Sequence, residues 1–353
     1  MYGNTPQRQQ PRPATQVPER WIGGPDVPRP PSRNREAAPH PGPTPKTLRV
    51  LPHPIPYQGS KRNLAADILR YFPADVETLH EPFAGSAAIT LAASASGLAR
   101  SYCINDLNKP LMDLWRAIIL SPAEIARQYN ELWHGQLSDP KSFYLRARED
   151  FNRTGRPDLF LYLLARCVKG SVRYNLRGEF NQSPDNRRKG MRPETMRHQV
   201  LGASQLLKGK TAVMSQNYRD VVTRATRRDL VYMDPPYQGV CGNRDTRYLE
   251  SVQFCEFVGV LSDLNRKGIR YLVSYDGRTG DRVYGLRLPD ELDLTLIELH
   301  AGRSTQSTLL GRNDITVESL YVSPALAREL ANAPAVYKYP REEQLCLMDK
   351  PRK

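Results

Sequence analysis

Leu230-Val231-Tyr232-Met233-Asp234-Pro235-Pro236-Tyr237 decides the fold class, because four apolar residues run straight into a carboxylate and two consecutive prolines. Proline has a fixed φ and no amide donor, so the strand must stop there and the following loop is held in one shape. A short, continuously apolar run is the signature of a strand buried on both faces, as in a parallel sheet covered by helices. In open sheets of that kind ligands lie at the carboxyl ends of the strands, which is where Asp234 and its prolines fall.

Working upstream, Thr78 to Glu81 reads as a strand, Glu81-Pro82-Phe83-Ala84-Gly85-Ser86 as a turn, Ala87 to Ser96 as a small-residue helix and Ser101 to Asn105 as the next strand. That is one βαβ unit. Gly85 lets backbone approach a ligand, and the helix start beyond it favours an anion. Asp106 ends the second strand, where an acidic side chain can bind ribose hydroxyls. The spacing fits a nucleoside cofactor, although glycine turns followed by acids also recur in proteins that bind NAD, FAD or nothing; no complete G-x-G-x-x-G is present, which argues against a dinucleotide. Further upstream, Tyr57-Gln58-Gly59-Ser60-Lys61-Arg62 opens a helix expected over Lys61 to Tyr71. Lys61 is either a cation for a cofactor carboxylate or the target pocket, or simply part of a solvated helix start.

Downstream, strands are expected at Thr211 to Ser215, Tyr271 to Tyr275, Leu294 to Leu299 and Ser319 to Val322, with an amphipathic helix at Val252 to Lys267. The α/β domain therefore occupies residues 49–122 and 208–324, with a seven-stranded, mostly parallel sheet. Residues 123–207 interrupt it as an insertion, helical around Asp158 to Val168 and basic over Lys169 to Arg192. Residues 1–48 hold 12 of the 30 prolines and few aliphatic side chains, a composition that predicts a disordered basic arm. Residues 325–353 are expected to be a C-terminal tail.

A net charge of +14 favours a polyanionic partner, because clustered cations release counterions from phosphates. No run approaches the ~18 apolar residues of a membrane helix, so no membrane association is expected and the cytoplasm fits. The five cysteines show no C-x-x-C pair, which predicts reduced thiols and no metal.

The residues at the strand ends carry a definite chemistry. An exocyclic amino group on a base is a poor nucleophile, since its lone pair is delocalised into the ring. The Asp234 carboxylate and the Pro235 carbonyl can accept both of its hydrogens and turn the lone pair outward. Tyr237 can stack on a base rotated out of its duplex. The competing reading of this tetrapeptide is a plain strand-to-loop turn. In the insertion, Val172-Arg173-Tyr174-Asn175-Leu176-Arg177-Gly178-Glu179-Phe180-Asn181 reads as a hairpin whose Arg173, Tyr174, Asn175 and Arg177 suit a major groove. Arg187-Arg188-Lys189 follows and suits phosphates, and an exposed structural hairpin is the alternative.

Taken in order, Tyr57 to Arg62, Glu81 to Ser86, Asn105-Asp106-Leu107-Asn108, Arg173 to Asn181 and Asp234 to Tyr237 resemble the Dam family of DNA adenine-N6 methyltransferases, as do Phe160 to Leu163 and Val273 to Asp276. The resemblance implies a Rossmann-like S-adenosylmethionine-dependent methyltransferase sheet with an inserted helical and hairpin target-recognition domain. It implies a cofactor site made by Tyr57, Lys61, Glu81, Phe83, Gly85, Asp106 and Asp234, with Asp106 on the ribose. Asp234, Pro235 and Tyr237 would hold the adenine, Tyr174 and Asn175 would fill space beside the extruded base, Arg177 would read a guanine, and Arg173, Arg187 and Arg188 would meet the double-stranded DNA. GATC is the first target expected. The sequence departs from the family at Ser60 and Ala87, which replace glycines, and over Gln182 to Asn186. Methylation of cytosine N4, RNA guanine N2 or protein glutamine, and a silent DNA-binding scaffold, stand as alternatives. A solitary enzyme, a partner of a restriction endonuclease acting on the same site and a phage or mobile-element protein would all share these motifs.

Overall fold

A computed structural model describes residues 51–236, 252–279, 282–284, 286–303 and 315–332. The expected N-terminal arm, Tyr237, and residues 304–312 of the Gly- and Arg-bearing stretch His300 to Arg312, for which the sequence offers no clear physical account, lie outside them.

Leu230 to Met233 is the central strand of the sheet. The strands are β1 (Val76–Glu81), β2 (Ala99–Asn105), β3 (Thr211–Met214), β4 (Leu230–Met233), β5 (Arg270–Thr279), β6 (Arg282–Tyr284), β7 (Thr295–Arg303) and β8 (Ile315–Val322). Seven of them stand in the order β3-β2-β1-β4-β5-β8-β7, and the short β6 pairs with β5 outside that path. The first five are parallel to their neighbours, whereas β8 runs antiparallel to both β5 and β7. This is the doubly wound, Rossmann-like α/β architecture expected, with β6 as an addition too short to leave a periodic signal.

The apolar run of β4 is divided between two cores by the alternation of strand side chains. Leu230 and Tyr232 join Leu79, Tyr102, Leu272 and Leu320 on one face, while Val231 and Met233 join Tyr271, Val273 and Phe257 on the other. Helices α1 (Ala65–Leu69), α2 (Ala88–Ala95) and α10 (Pro324–Asn332) supply the first face. Helices α8 (Tyr218–Val222) and α9 (Phe254–Lys267) supply the second. Residues 325–332, expected as the start of a tail, are thus part of the domain: Leu326 is fully buried and Arg270 reaches Glu329. A helix repeat that short, ending in polar residues, is hard to separate from a tail in sequence.

The inserted region begins after α3 (Lys109–Leu120) and consists of α4 (Pro122–Gly135), α5 (Pro140–Thr154), α6 (Pro157–Arg166), a looped stretch, and α7 (Pro193–Leu207). Each opens with a proline, whose missing amide and fixed φ cost nothing in the first turn. Its α7 packs on α2 and α3 as well as α4, and one apolar cluster runs from Ile104, Leu111 and Trp115 into Phe160, Tyr162 and Met196. The helix expected over Lys61 to Tyr71 is instead a 3-10 turn, Lys61–Asn63, followed by α1. Ser60 gives that turn no side-chain cap, because its hydroxyl accepts from Ser86 at 2.8 Å.

Candidate active site

Strand order reverses between β1 and β4, since β1 leads by way of α2 to β2 on one side and β4 leads by way of α9 to β5 on the other. A crevice must open at the carboxyl ends of strands at such a switch point. It is lined there by Tyr57, Lys61, Glu81, Phe83, Gly85, Asp106, Tyr174, Asp234 and Pro235, so residues from five separate segments converge.

Glu81, the last residue of β1, is buried and its Oε2 accepts from the Thr90 amide at 3.0 Å and the Thr90 hydroxyl at 2.5 Å. Burial outweighs those donors, and the Asp234 charge adds to it, so the Glu81 carboxyl is pushed up to about 8. Asp106 follows β2 and closes the loop across it: its two oxygens accept from the Gly85 amide at 3.1 Å and the Asn108 amide at 3.0 Å. Burial raises its pKa despite those two bonds.

Gly85 has φ +48°, and a Cβ there would stand 3.2 Å from two ring carbons of Tyr57. Its carbonyl accepts from the Trp115 indole at 3.0 Å. Ala87, where the family usually has glycine, takes the same left-handed φ of +48° and is fully buried. The loop thus carries an alanine in a backbone conformation that favours glycine. Asn105 clips two strand ends together, its Nδ2 donating to the Pro82 and Gln216 carbonyls at 3.0 Å each. Phe83 lies 5.0 Å, centroid to centroid, from Tyr218.

Asp234 and the two prolines follow β4 directly. The Asp234 carboxylate lies 2.9 Å from the Lys61 ammonium, and that ammonium also lies 3.3 Å from Glu318 on β8. Lys61 therefore faces the end of β4 that carries Asp234.

The hairpin forms as an antiparallel turn: the Asn175 amide donates to the Glu179 carbonyl and the Asn181 amide to the Arg173 carbonyl, both at 2.9 Å. Its tip is solvent-exposed, with Leu176 at 100% exposure and Arg177 and Arg173 also on the surface. Two residues of the hairpin make bonds within the protein. Tyr174 turns inward, buried, and its hydroxyl donates to Asn108 Oδ1 at 3.0 Å. Asn175 is spent on the turn itself, its Oδ1 accepting from the Arg177 and Glu179 amides at 2.9 Å. Alternation explains the first, and the habit of Asn side chains to bond nearby backbone explains the second. Arg187 and Arg188 are exposed.

The hairpin's base is tied to the crevice. The Gln58 amide donates to the Gly170 carbonyl at 3.2 Å, and the Ser171 hydroxyl donates to Gln58 Oε1. A Cβ on Gly170 would meet the Pro56 carbonyl at 2.8 Å, so only glycine allows that approach. Gln216 and Tyr218, which line the crevice, and Glu318, which reaches Lys61, are residues that the sequence reading passed over. For the first two the signal was available, since they follow the carboxyl end of β3. Among the described residues no His, Cys, Asp or Glu group is arranged for a metal ion, and no described helix is long and apolar enough to cross a membrane.

The family described as D12 class N6 adenine-specific DNA methyltransferase matches residues 57–297. This chain belongs to that family. The match runs from Tyr57 at the mouth of the crevice to β7 and includes the crevice residues named above except Glu318. Among its relatives, the DNA adenine methylase of Serratia marcescens is 32% identical over 187 residues, 52% of this chain and 66% of its own length. That of Escherichia coli strain K12 is 31% identical over 187 residues, 52% of this chain and 64% of its own. The chain thus spans less than two thirds of the adenine methylases it matches. Modification methylase StsI of Streptococcus sanguinis is 27% identical over 247 residues, 65% of this chain and 36% of its own length.

Proposed function

We propose that this chain transfers a methyl group from S-adenosylmethionine to N6 of adenine in double-stranded DNA, with GATC as the first target to test. The observation that carries the reading is the convergence of Asp234-Pro235-Pro236 with Glu81, Gly85 and Asp106 in one crevice at the switch point. Relatives named as DNA adenine methylases favour adenine over the other amino groups.

The donor set fits the cofactor. Asp106 has lone pairs left for ribose hydroxyls after its two backbone bonds. Glu81 is a buried acid beside the glycine turn and suits a cationic amine, and the Phe83 and Tyr218 rings suit a flat base. When bound, the cofactor supplies an activated methyl on a sulfonium. The chain's own task is orientation: Asp234 and the Pro235 carbonyl accept the two hydrogens of the amino group and aim its lone pair at the methyl carbon. Positive charge growing on N6 would be stabilised by the Asp234 carboxylate until the surplus N6 proton is lost to solvent. Arg173, Arg177, Arg187 and Arg188 are the proposed DNA contacts, with residues 123–207 as the recognition region. A restriction endonuclease sharing the site is a partner to look for, given the relative named a modification methylase.

The test is incubation of the chain with S-adenosylmethionine and mixed-sequence DNA, followed by nucleoside mass spectrometry and mapping of the modified base. N6-methyladenine at one short motif is the expected result, and N4-methylcytosine would sink the adenine assignment. Asp234→Ala should abolish transfer and leave DNA binding intact, because the carboxylate touches no phosphate; turnover at the wild-type rate would refute its role.

A further inference from the structure

We propose that Glu318 is a positioning residue for Asp234, acting through the Lys61 ammonium; this rests on the methyl-transfer reading above. Lys61 is 8% exposed and lies between two carboxylates, 2.9 Å from Asp234 and 3.3 Å from Glu318, which are themselves only 19% and 23% exposed. The three come from the turn ahead of β1, the end of β4 and the antiparallel β8, so only the folded sheet assembles them.

The strand pattern aims Glu318 at this point. Along β8, Val322 and Leu320 are buried in the core shared with α1, and Glu318 is the next residue of that row. The pairing of β5 with β8 slips by one residue between Ser274 and Gly277, so Gly277 rather than Asp276 stands opposite Glu318. The extra residue is accommodated by Asp276, at φ +56°, whose carboxylate accepts from the Tyr321 hydroxyl at 2.7 Å. A charged residue thus ends an otherwise apolar row, beside the loop that carries Asp234.

Charge balance gives the arrangement its purpose. An ammonium paired with Asp234 alone would draw on the electron density the carboxylate must offer to the amino group, and would oppose positive charge growing on N6. Glu318 draws on the same ammonium from the other side. The cluster of two carboxylates and one ammonium keeps one net negative charge, so Lys61 fixes the orientation of Asp234 without neutralising it.

Glu318→Gln keeps the shape and removes the charge, and its kinetics on the full chain with mapped DNA test the idea. The expected result is a fall in kcat of about tenfold or more, with KM for DNA and cofactor affinity within about twofold and the melting temperature unchanged. The acid limb of the kcat profile should move to lower pH, because Asp234, which also faces the Lys61 ammonium and the buried Glu81 carboxyl, loses a like-charged neighbour and becomes a weaker base. Glu318→Asp should restore part of the rate. In a Lys61→Met background, Glu318→Gln should have a much smaller effect, since the ammonium through which it acts is gone. Wild-type kcat with an unmoved pH profile, a loss confined to binding or stability, or an equal loss in both backgrounds would each overturn the proposal. Failure of the wild-type chain to methylate adenine would instead overturn the functional reading, and this role with it.

Discussion

Gly85 and Ala87 take the same left-handed φ of +48° two residues apart, yet they do not tolerate the same side chains. Ala87 shows that the loop can carry an L-residue's strain of about 1–2 kcal/mol. Gly85 differs because the Tyr57 ring covers it, at 3.2 Å from where a Cβ would stand. Gly85→Ala should therefore displace Tyr57, lower stability by ~1–2 kcal/mol in urea denaturation, and weaken cofactor binding; unchanged stability and affinity would show that the ring moves freely. Glu81 makes a second prediction at this scale. Its carboxyl has an ordinary value of 4.5 and is pushed up to about 8 in the fold. A raised acid contributes stability that is fully present below 4.5 and is lost as pH rises through 8. The melting temperature of the cofactor-free chain should thus fall more steeply between pH 4.5 and pH 8 than that of Glu81→Gln. Parallel profiles would mean that Glu81 titrates as in water.

At the scale of elements, the hairpin and the glycine turns form one apparatus. Gly170 brings the hairpin's base against Pro56 and Gln58, so the loop that leads to Lys61 and the element proposed to read DNA share a backbone contact. Of the tip residues, Arg177 remains free to project into solvent, whereas Asn175 holds the turn together and Tyr174 supports Asn108. Arg177 is accordingly the residue of these three proposed to read a base directly. Arg177→Ala should relax sequence preference at one position, at a cost of about 1–3 kcal/mol for a lost bidentate contact to guanine. Mapping of methylated sites by sequencing checks this, and uniform loss across all sequences would assign Arg177 to the phosphate backbone.

For the whole molecule, the charge of +14 sets how it meets a polyanion. Most of that affinity should come from released counterions, so raising salt from about 50 to 200 mM should weaken DNA binding by roughly 10³ to 10⁵ if six to ten phosphates are neutralised. Fluorescence anisotropy against salt measures the slope, and a flat response would exclude a phosphate-dominated interface. At this scale the reach of the sequence is also clear. The run of Leu230 to Met233 before two prolines, and the turns after Glu81 and Asn105, identify parallel strands and place their carboxyl-terminal residues, because burial on both faces, proline geometry and glycine freedom act over a few neighbouring residues. The partner of Lys61, the inward turn of Tyr174, the place of Glu318 and the burial of α10 were decided only by the tertiary structure. Each depends on which distant segments become neighbours, and the place of Glu318 also on a one-residue slip between β5 and β8; no local pattern encodes contacts between residues so far apart in the chain.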